Sequence, residues 1–183
     1  MIRFFDIFFS LIGISLAFPI LLVILIVSMF DTGSPIFRQK RVGRNKTTFI
    51  LIKFRTMPKG TKSLATHLLT NSNVTPFGRF LRRTKLDELP QLLNVLKGEM
   101  SMVGPRPNLL NQIELINERE LLGVYDVRPG ITGLSQINGI DMANPKLLAK
   151  TDAQMISNMS PANYFKYIFL TITGMGQGDK VRH

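Results

Sequence analysis

The chain contains no cysteine, so disulfides, zinc–thiolate sites and thiol nucleophiles are excluded. Histidine is nearly as scarce: His67 lies in a polar stretch and His183 is the last residue. That argues against a histidine-based triad or a multi-histidine metal site. No Walker A segment, no Gly-x-Gly-x-x-Gly and no His-Glu-x-x-His occurs, and the hydroxyls have no partner histidine, which argues against serine-hydrolase chemistry as well. Acidic residues are few, 12 Asp and Glu against 23 Lys and Arg, for a net charge of +11. This excess favours an anionic partner: nucleic acid, an anionic bilayer surface or a phosphate-rich substrate. Composition does not choose among them. The 183 residues suffice for one domain with a core, or a small domain plus a membrane segment.

Charge is also missing from Ile7 to Phe30, where most positions are Ile, Leu, Val or Phe. As a helix this run would reach about 36 Å, enough to cross a hydrocarbon core. A cleaved signal peptide fits less well, because Arg3 alone makes a thin positive region, Asp6 opposes it and no clear cleavage site follows. A buried soluble helix also fits poorly, since every face is apolar. Pro19 predicts a kink near Ser15–Pro19. Two topologies follow. A straight span would place the head outside and hold Arg38, Lys40, Arg41, Arg44 and Lys46 in the cytoplasm. A re-entrant hairpin of two half-helices broken at Pro19 would return Arg3 and Asp6 to the cytoplasmic side. Backbone physics slightly favours the span, because carbonyls freed at a sharp bend need partners.

Beyond a turn at Asp31–Ser34, Ile36–Val42 and Thr48–Phe54 are β-like runs joined at Gly43-Arg44-Asn45, which predicts a hairpin. Pro58–Thr75 reads as a polar loop with a helical turn around Leu64–Leu69. Thr75-Pro76 predicts a capped helix to about Arg83, and Thr84 with Asp87 predicts a capping box for the next, ended by Gly98. Pro107–Leu122 reads as an amphipathic helix closed by Gly123, and Arg128–Asp141 as a structured loop. Asn144-Pro145 and Ser160-Pro161 each predict a cap and a helix start. The last helix, with Tyr164, Phe165, Ile168, Phe169 and Ile172, suits either the core or the membrane interface.

Among the acidic residues, Asp87-Glu88 stands out inside Arg82-Arg83-Thr84-Lys85-Leu86-Asp87-Glu88-Leu89-Pro90. Neighbouring carboxylates on a helical turn diverge yet can flank one metal ion or phosphate. The plainer alternative makes Asp87 a capping acid and Glu88 a surface acid paired with Arg or Lys. Arg106, between Pro105 and Pro107, is presented rigidly enough for a phosphate clamp, although a surface turn would read the same way. Arg128-Pro129-Gly130 repeats that presentation, and Lys53 and Arg55 share one face of their strand. Carboxylates among preorganised cations suit phosphoryl transfer better than hydrolysis of an uncharged substrate.

Four segments resemble the small monotopic phosphoglycosyl transferases of the bacterial sugar transferase family: Lys53-Phe54-Arg55-Thr56-Met57, Leu86 to Gly98, Met100 to Pro107 and Asp126 to Leu134. Their order and spacing are also similar, and the likeness runs to about Thr173. The resemblance implies an α+β, mostly helical fold. It comprises an N-terminal re-entrant membrane helix, a short β-hairpin and several amphipathic helices at the membrane interface. Residues 1–33 would be the anchor and residues 34–183 the catalytic domain on the cytoplasmic face of the bacterial inner membrane. It implies that Asp87 attacks a UDP-sugar, that UMP leaves, and that polyprenol phosphate takes the phosphosugar from the aspartyl intermediate. Mg²⁺ would be held by Asp87 and Glu88, and phosphates bound by Arg106 and more loosely by Lys53, Arg55, Arg82 and Arg128. Such an enzyme initiates glycoconjugate assembly, with no nucleic-acid partner; a homo-oligomer stays open. Pro19 matches the family's helix break, which moves the topology from span to re-entrant. The family breaks its helix at Ser-Pro where this chain has Phe18-Pro19, and Asp152 is followed by Ala153, Gln154 and Met155 rather than by a tyrosine pair. The rival from another class is a non-catalytic, membrane-anchored basic module binding anionic lipid or nucleic acid. Among enzymes, the rival is a nucleotide-sugar hydrolase.

Overall fold

A computed structural model describes residues 2–60 and 74–173; the helical turn expected around Leu64–Leu69 lies outside them. The apolar segment forms one helix, α1, Ile2–Thr32, about 46 Å long at the standard rise. Pro19 sits inside it, and the helix runs on through the proline, whose ring removes one backbone donor there. α1 is long and apolar enough to cross a membrane. It buries only Asp6, Ser10, Ile24, Ser28 and Thr32. Those positions fall on one helical stripe, while Phe4, Leu16, Val23 and Phe30 are exposed.

Both ends of α1 are tied to the rest of the chain. Near the start, Arg3 donates to the Val95 and Leu96 carbonyls at 2.7 and 3.1 Å. The buried Asp6 carboxylate accepts from Ser101 Oγ, the Met102 amide and the Tyr164 hydroxyl at 2.8, 2.9 and 2.9 Å. Burial and the Asp6 charge push the Tyr164 hydroxyl far above its ordinary range, so it stays a donor. At the far end Asp31 accepts from Thr75 Oγ1 at 2.6 Å, and Ile24 packs with Phe54 and Leu81.

Strands β1, Ile36–Val42, and β2, Thr48–Phe54, keep the predicted bounds and pair antiparallel, with Ile36 opposite Phe54 and Val42 opposite Thr48. Alternation along β2 turns Phe49 and Leu51 into a core with Val95 and Met100. Helix α2, Pro76–Thr84, starts at the predicted cap, Thr75 Oγ1 accepting from the Gly78 amide at 2.9 Å.

The next cap differs from expectation. Thr84 is the last residue of α2, and its hydroxyl turns back to the Phe80 and Leu81 carbonyls at 2.9 and 3.1 Å. A 3-10 turn over Leu86–Glu88 follows, and α3 spans only Gln91–Lys97 before Gly98 closes it with φ +85°. Pro90 lacks the amide that a longer helix needs there.

Strand β3, Ser101–Val103, pairs in parallel with β4, Gly130–Thr132. A Cβ on Gly130 would stand 2.0 Å from the Gly104 nitrogen, so only glycine permits this approach. Helix α4 is Ile113–Leu121, shorter than the predicted Pro107–Leu122. Side chains claim the backbone before it. Pro107 O accepts from Arg41, Leu109 O from Asn108 Nδ2, and the Leu109 amide donates to Gln112 Oε1. The stretch read as a loop from Arg128 holds β4 and a helical turn, α5, Leu134–Ile137.

Helices α6, Pro145–Ser157, and α7, Pro161–Ile172, start at the predicted Asn144 and Ser160 caps. α7 buries Tyr164 and Tyr167 against the core and leaves Phe169 and Ile172 exposed, so one face packs and an apolar face remains outward.

Candidate active site

Asp87 and Glu88 occupy the 3-10 turn between α2 and α3. The turn is entered through Lys85, which takes a left-handed conformation with φ +57°. Asp87 is buried at 3 % exposure, and Glu88 forms an ion pair with Arg106, Oε1 to Nη2 at 3.7 Å. Strand β2 packs beside the turn.

Arg106 is held from behind. Its carbonyl accepts from Arg119 Nη1 at 2.9 Å. Arg119, 1 % exposed, pairs with the fully buried Asp152 through Nη2 at 2.6 Å and Nε at 3.1 Å. Ser135 donates to the other Asp152 oxygen at 2.6 Å, and Arg119 also donates to Asn108 Oδ1 at 2.9 Å. Burial pushes the Asp152 carboxyl up, against the opposing pull of Arg119 and the Ser135 hydrogen bond.

Glu88, Arg106 and Lys85 line a cavity of about 370 Å³ whose walls are otherwise mostly apolar. Burial pushes the Lys85 ammonium down; Glu88 opposes this and Arg106 adds to it. Such an amine is poised to gain from a second anion nearby.

The other basic residues divide. Arg82 Nε donates to Thr56 Oγ1 at 2.9 Å, which ties α2 to the end of β2 near the turn. Lys53 and Arg55 do share one face, with Phe37 between them: Nζ lies 5.8 Å and the guanidinium carbon 5.4 Å from the ring centre. Arg55 also donates to the Ser34 and Ile36 carbonyls at 3.0 and 3.4 Å. Arg128 Nε donates to Gly98 O at 2.8 Å, and with Arg3 and Ser101 the residue lines a separate cavity of about 300 Å³. The fold therefore brings Glu88 to Arg106, with Asp87 next to Glu88 on the same turn, and leaves Arg128 elsewhere. Sequence reasoning did not single out Lys85, although it sits two residues before Asp87, nor Arg119; it noted Asp152 only for the residues that follow it, and the link from Asp152 through Arg119 to Arg106 exists only in the fold.

Among the described residues, no group of three or more His, Asp and Glu could hold a metal ion. Asp87 and Glu88 put two carboxylates on one turn, the oxygen donors that a hard divalent cation takes.

The sequence model of the family described as bacterial sugar transferase matches residues 1–178. The chain is 37% identical over 171 residues to an uncharacterized sugar transferase, EpsL, of Bacillus subtilis, covering 93% of this chain and 84% of that protein. It is 32% identical over 186 residues to the undecaprenyl-phosphate galactose phosphotransferase of Salmonella typhimurium, covering 92% of this chain. It is 40% identical over 125 residues, 66% of this chain, to the UDP-glucose:undecaprenyl-phosphate glucose-1-phosphate transferase of Caulobacter vibrioides. The chain spans 39% of the Salmonella protein and 47% of the Caulobacter one, less than half of either.

Proposed function

Because the chain belongs to the bacterial sugar transferase family, we propose that it moves a sugar 1-phosphate from a UDP-sugar to polyprenol phosphate, initiating glycoconjugate assembly. The observation that supports this most is the juxtaposition of Asp87, Glu88 and Arg106 on one tight turn and its facing loop, beside an apolar cavity. A phosphorylated donor and a lipid acceptor call for that combination of charge and apolar wall.

In the proposed reaction an Asp87 carboxylate oxygen attacks the phosphorus that carries the sugar. The bond to the UMP oxygen breaks, and UMP leaves with the electron pair. A polyprenol phosphate oxygen then attacks the same phosphorus and returns Asp87 to its carboxylate. Arg106 holds phosphate oxygens while charge shifts to the leaving group. Asp87 and Glu88 are the residues that would hold Mg²⁺, which supplies charge neutralisation of the diphosphate when bound. A panel of UDP-sugars tests the reading. One donor should give UMP continuously with polyprenol phosphate, and at most one equivalent per protein without it. Continuous UMP release without acceptor marks a hydrolase, and no release with any donor favours the non-catalytic basic module.

Arg106→Lys keeps the charge and loses the planar fork. Activity is expected to fall by one to two orders of magnitude, on the order of the 1.5–3 kcal/mol of a charged hydrogen bond. Unchanged kcat and KM would remove Arg106 from the site.

Residues 1–33 serve in this reading as a membrane anchor whose two ends lie on one, cytoplasmic, face of the inner membrane. The bonds of Arg3 and Asp6 at one end of α1, and of Asp31 at the other, support it, because both ends reach the same body. With no native cysteine, single Ile2→Cys and Ser34→Cys variants can be labelled in sealed vesicles. Both should react from the cytoplasmic side only; labelling from opposite sides would show a straight span.

A further inference from the structure

The cleft that Arg128 lines, about 300 Å³, shares no lining residue with the cavity beside the Asp87-Glu88 turn. Pro105 lines this cleft and Arg106 the other cavity. Its charges come from distant parts of the chain. Arg3 and Asp6 belong to the first turns of α1, Arg44 to the turn of the hairpin, and Asp126 and Arg128 to the segment after α4. The first two offset each other. Asp6 is filled by its three donors and lies 4.0 Å from Arg3, whose terminal nitrogens are spent on the Val95 and Leu96 carbonyls. The other three charges are still available. Among the described residues, the Arg44 guanidinium and the Asp126 carboxylate have no hydrogen bond and no ion pair, although both line the cleft and their turns pack together. Arg128 uses only its Nε, on Gly98 O. Half-buried Ile2, Ile156 and Met159 give the cleft an apolar side.

We infer that this cleft is a second phosphate site, outside the transfer reaction, and that it holds the headgroup of a phospholipid carrying an amine. The phosphodiester sits at Arg44 and Arg128, the ammonium at Asp126, and the glycerol end along Ile2, Ile156 and Met159. The inference rests on the reading of residues 1–33 as a membrane anchor and adds a lipid that the start of the anchor holds. The uncharged run begins at Ile7, so Arg3 and Asp6 stand where α1 enters the hydrocarbon, at the level of the phospholipid headgroups. Charge selects the occupant. An arginine and an aspartate that share a cleft without meeting suit a ligand that brings both signs, each to its opposite. A headgroup without an amine leaves Asp126 facing a phosphate, and an unpaired charge of that kind rejects the wrong ligand. Inorganic phosphate meets the same repulsion and leaves the apolar side uncovered.

The full chain in detergent is offered phosphatidylethanolamine, phosphatidylglycerol and phosphatidylcholine with the same acyl chains, and bound lipid is read by native mass spectrometry. The ethanolamine lipid should be held about tenfold more tightly than the other two, the scale of one charged hydrogen bond. Asp126→Asn should abolish that preference, lowering ethanolamine-lipid affinity about tenfold and leaving glycerol-lipid affinity unchanged or higher. Arg44→Gln should weaken both lipids by about tenfold. Arg44 and Asp126 are exposed, so both variants should fold with an unchanged thermal midpoint. Should either fail to fold, the unaltered protein decides: an ethanolamine phospholipid with a photoreactive group near its glycerol should crosslink to peptides containing residues 2–6 or 156–159. Equal retention of the three lipids, a preference that survives Asp126→Asn, or crosslinks confined to other peptides would each overturn the inference. So would displacement of the lipid by an equal concentration of inorganic phosphate or glycerophosphoethanolamine, which would mark a site for a soluble phosphate. Labelling of positions 2 and 34 from opposite sides of the membrane would defeat the anchor reading itself; labelling from one side with no headgroup preference would defeat this inference alone.

Discussion

Asp87→Asn is expected to lower turnover by more than about a thousandfold, the scale on which removing a catalytic nucleophile acts, with the thermal midpoint and helix content unchanged. Asparagine has nearly the same shape, and its amide is a poor nucleophile. The fold sharpens this test. No helix begins at Thr84, and α3 begins after Pro90 without a side-chain cap, so the capping-box role that the sequence allowed Asp87 has no helix to serve. Asp87→Glu should also lose on the order of a hundredfold, since a displacement near 1 Å costs that much when the attacking oxygen must stand in line with the leaving group. With UDP-sugar alone, the unaltered protein should show a phosphosugar mass on the peptide carrying Asp87. UMP formed only when polyprenol phosphate is present, with no adduct, would favour direct transfer. An adduct on Glu88 would reverse the two roles.

Asp152→Ala is expected to destabilise the protein by about 3–5 kcal/mol, because it leaves the Arg119 guanidinium buried without its counter-ion. For a chain of this size that corresponds to a fall in Tm of roughly 6–20 °C. Arg119 and Asp152 are 1 % and 0 % exposed at a separation of 2.6 Å, so the guanidinium would be left in a site closed to bulk water. Replacing both, as Arg119→Met with Asp152→Leu, should recover most of the stability, since a buried ion pair exchanged for apolar side chains is often neutral or better. Activity should not recover with it. Arg119 also donates to the Arg106 carbonyl, and the double variant removes that bond. A double variant with full activity would show that Arg106 needs no support from Arg119; an Asp152→Ala protein with unchanged Tm would show that the pair contributes nothing to stability.

How much was legible in the sequence depended on the range of the interaction. The hairpin strands appeared with their bounds, because alternation and the turn residues between them are local. The Thr75, Asn144 and Ser160 caps appeared for the same reason: one side chain bonds an amide three residues on. The start of α3 was misplaced because Thr84 can bond forward as a cap or backward to its own helix, and the sequence does not say which. The start of α4 was misplaced because apolar spacing from Leu109 cannot register that Arg41, 66 residues from Pro107, claims that carbonyl. The Asp87-Glu88 pair and Arg106 were visible as motifs, with their spacing in the chain but not in space.

By itself, the sequence determined the apolar helix, the hairpin, three of the caps and the carboxylate pair, since each rests on contacts within a few residues or on composition. Only the tertiary structure decided that both ends of α1 reach one body, that Glu88 meets Arg106 while Arg128 lines another cavity, and that Arg119 and Asp152 stand behind the site. Those pairings join residues distant in the chain, and their geometry exists only once packing has excluded water and brought the elements together.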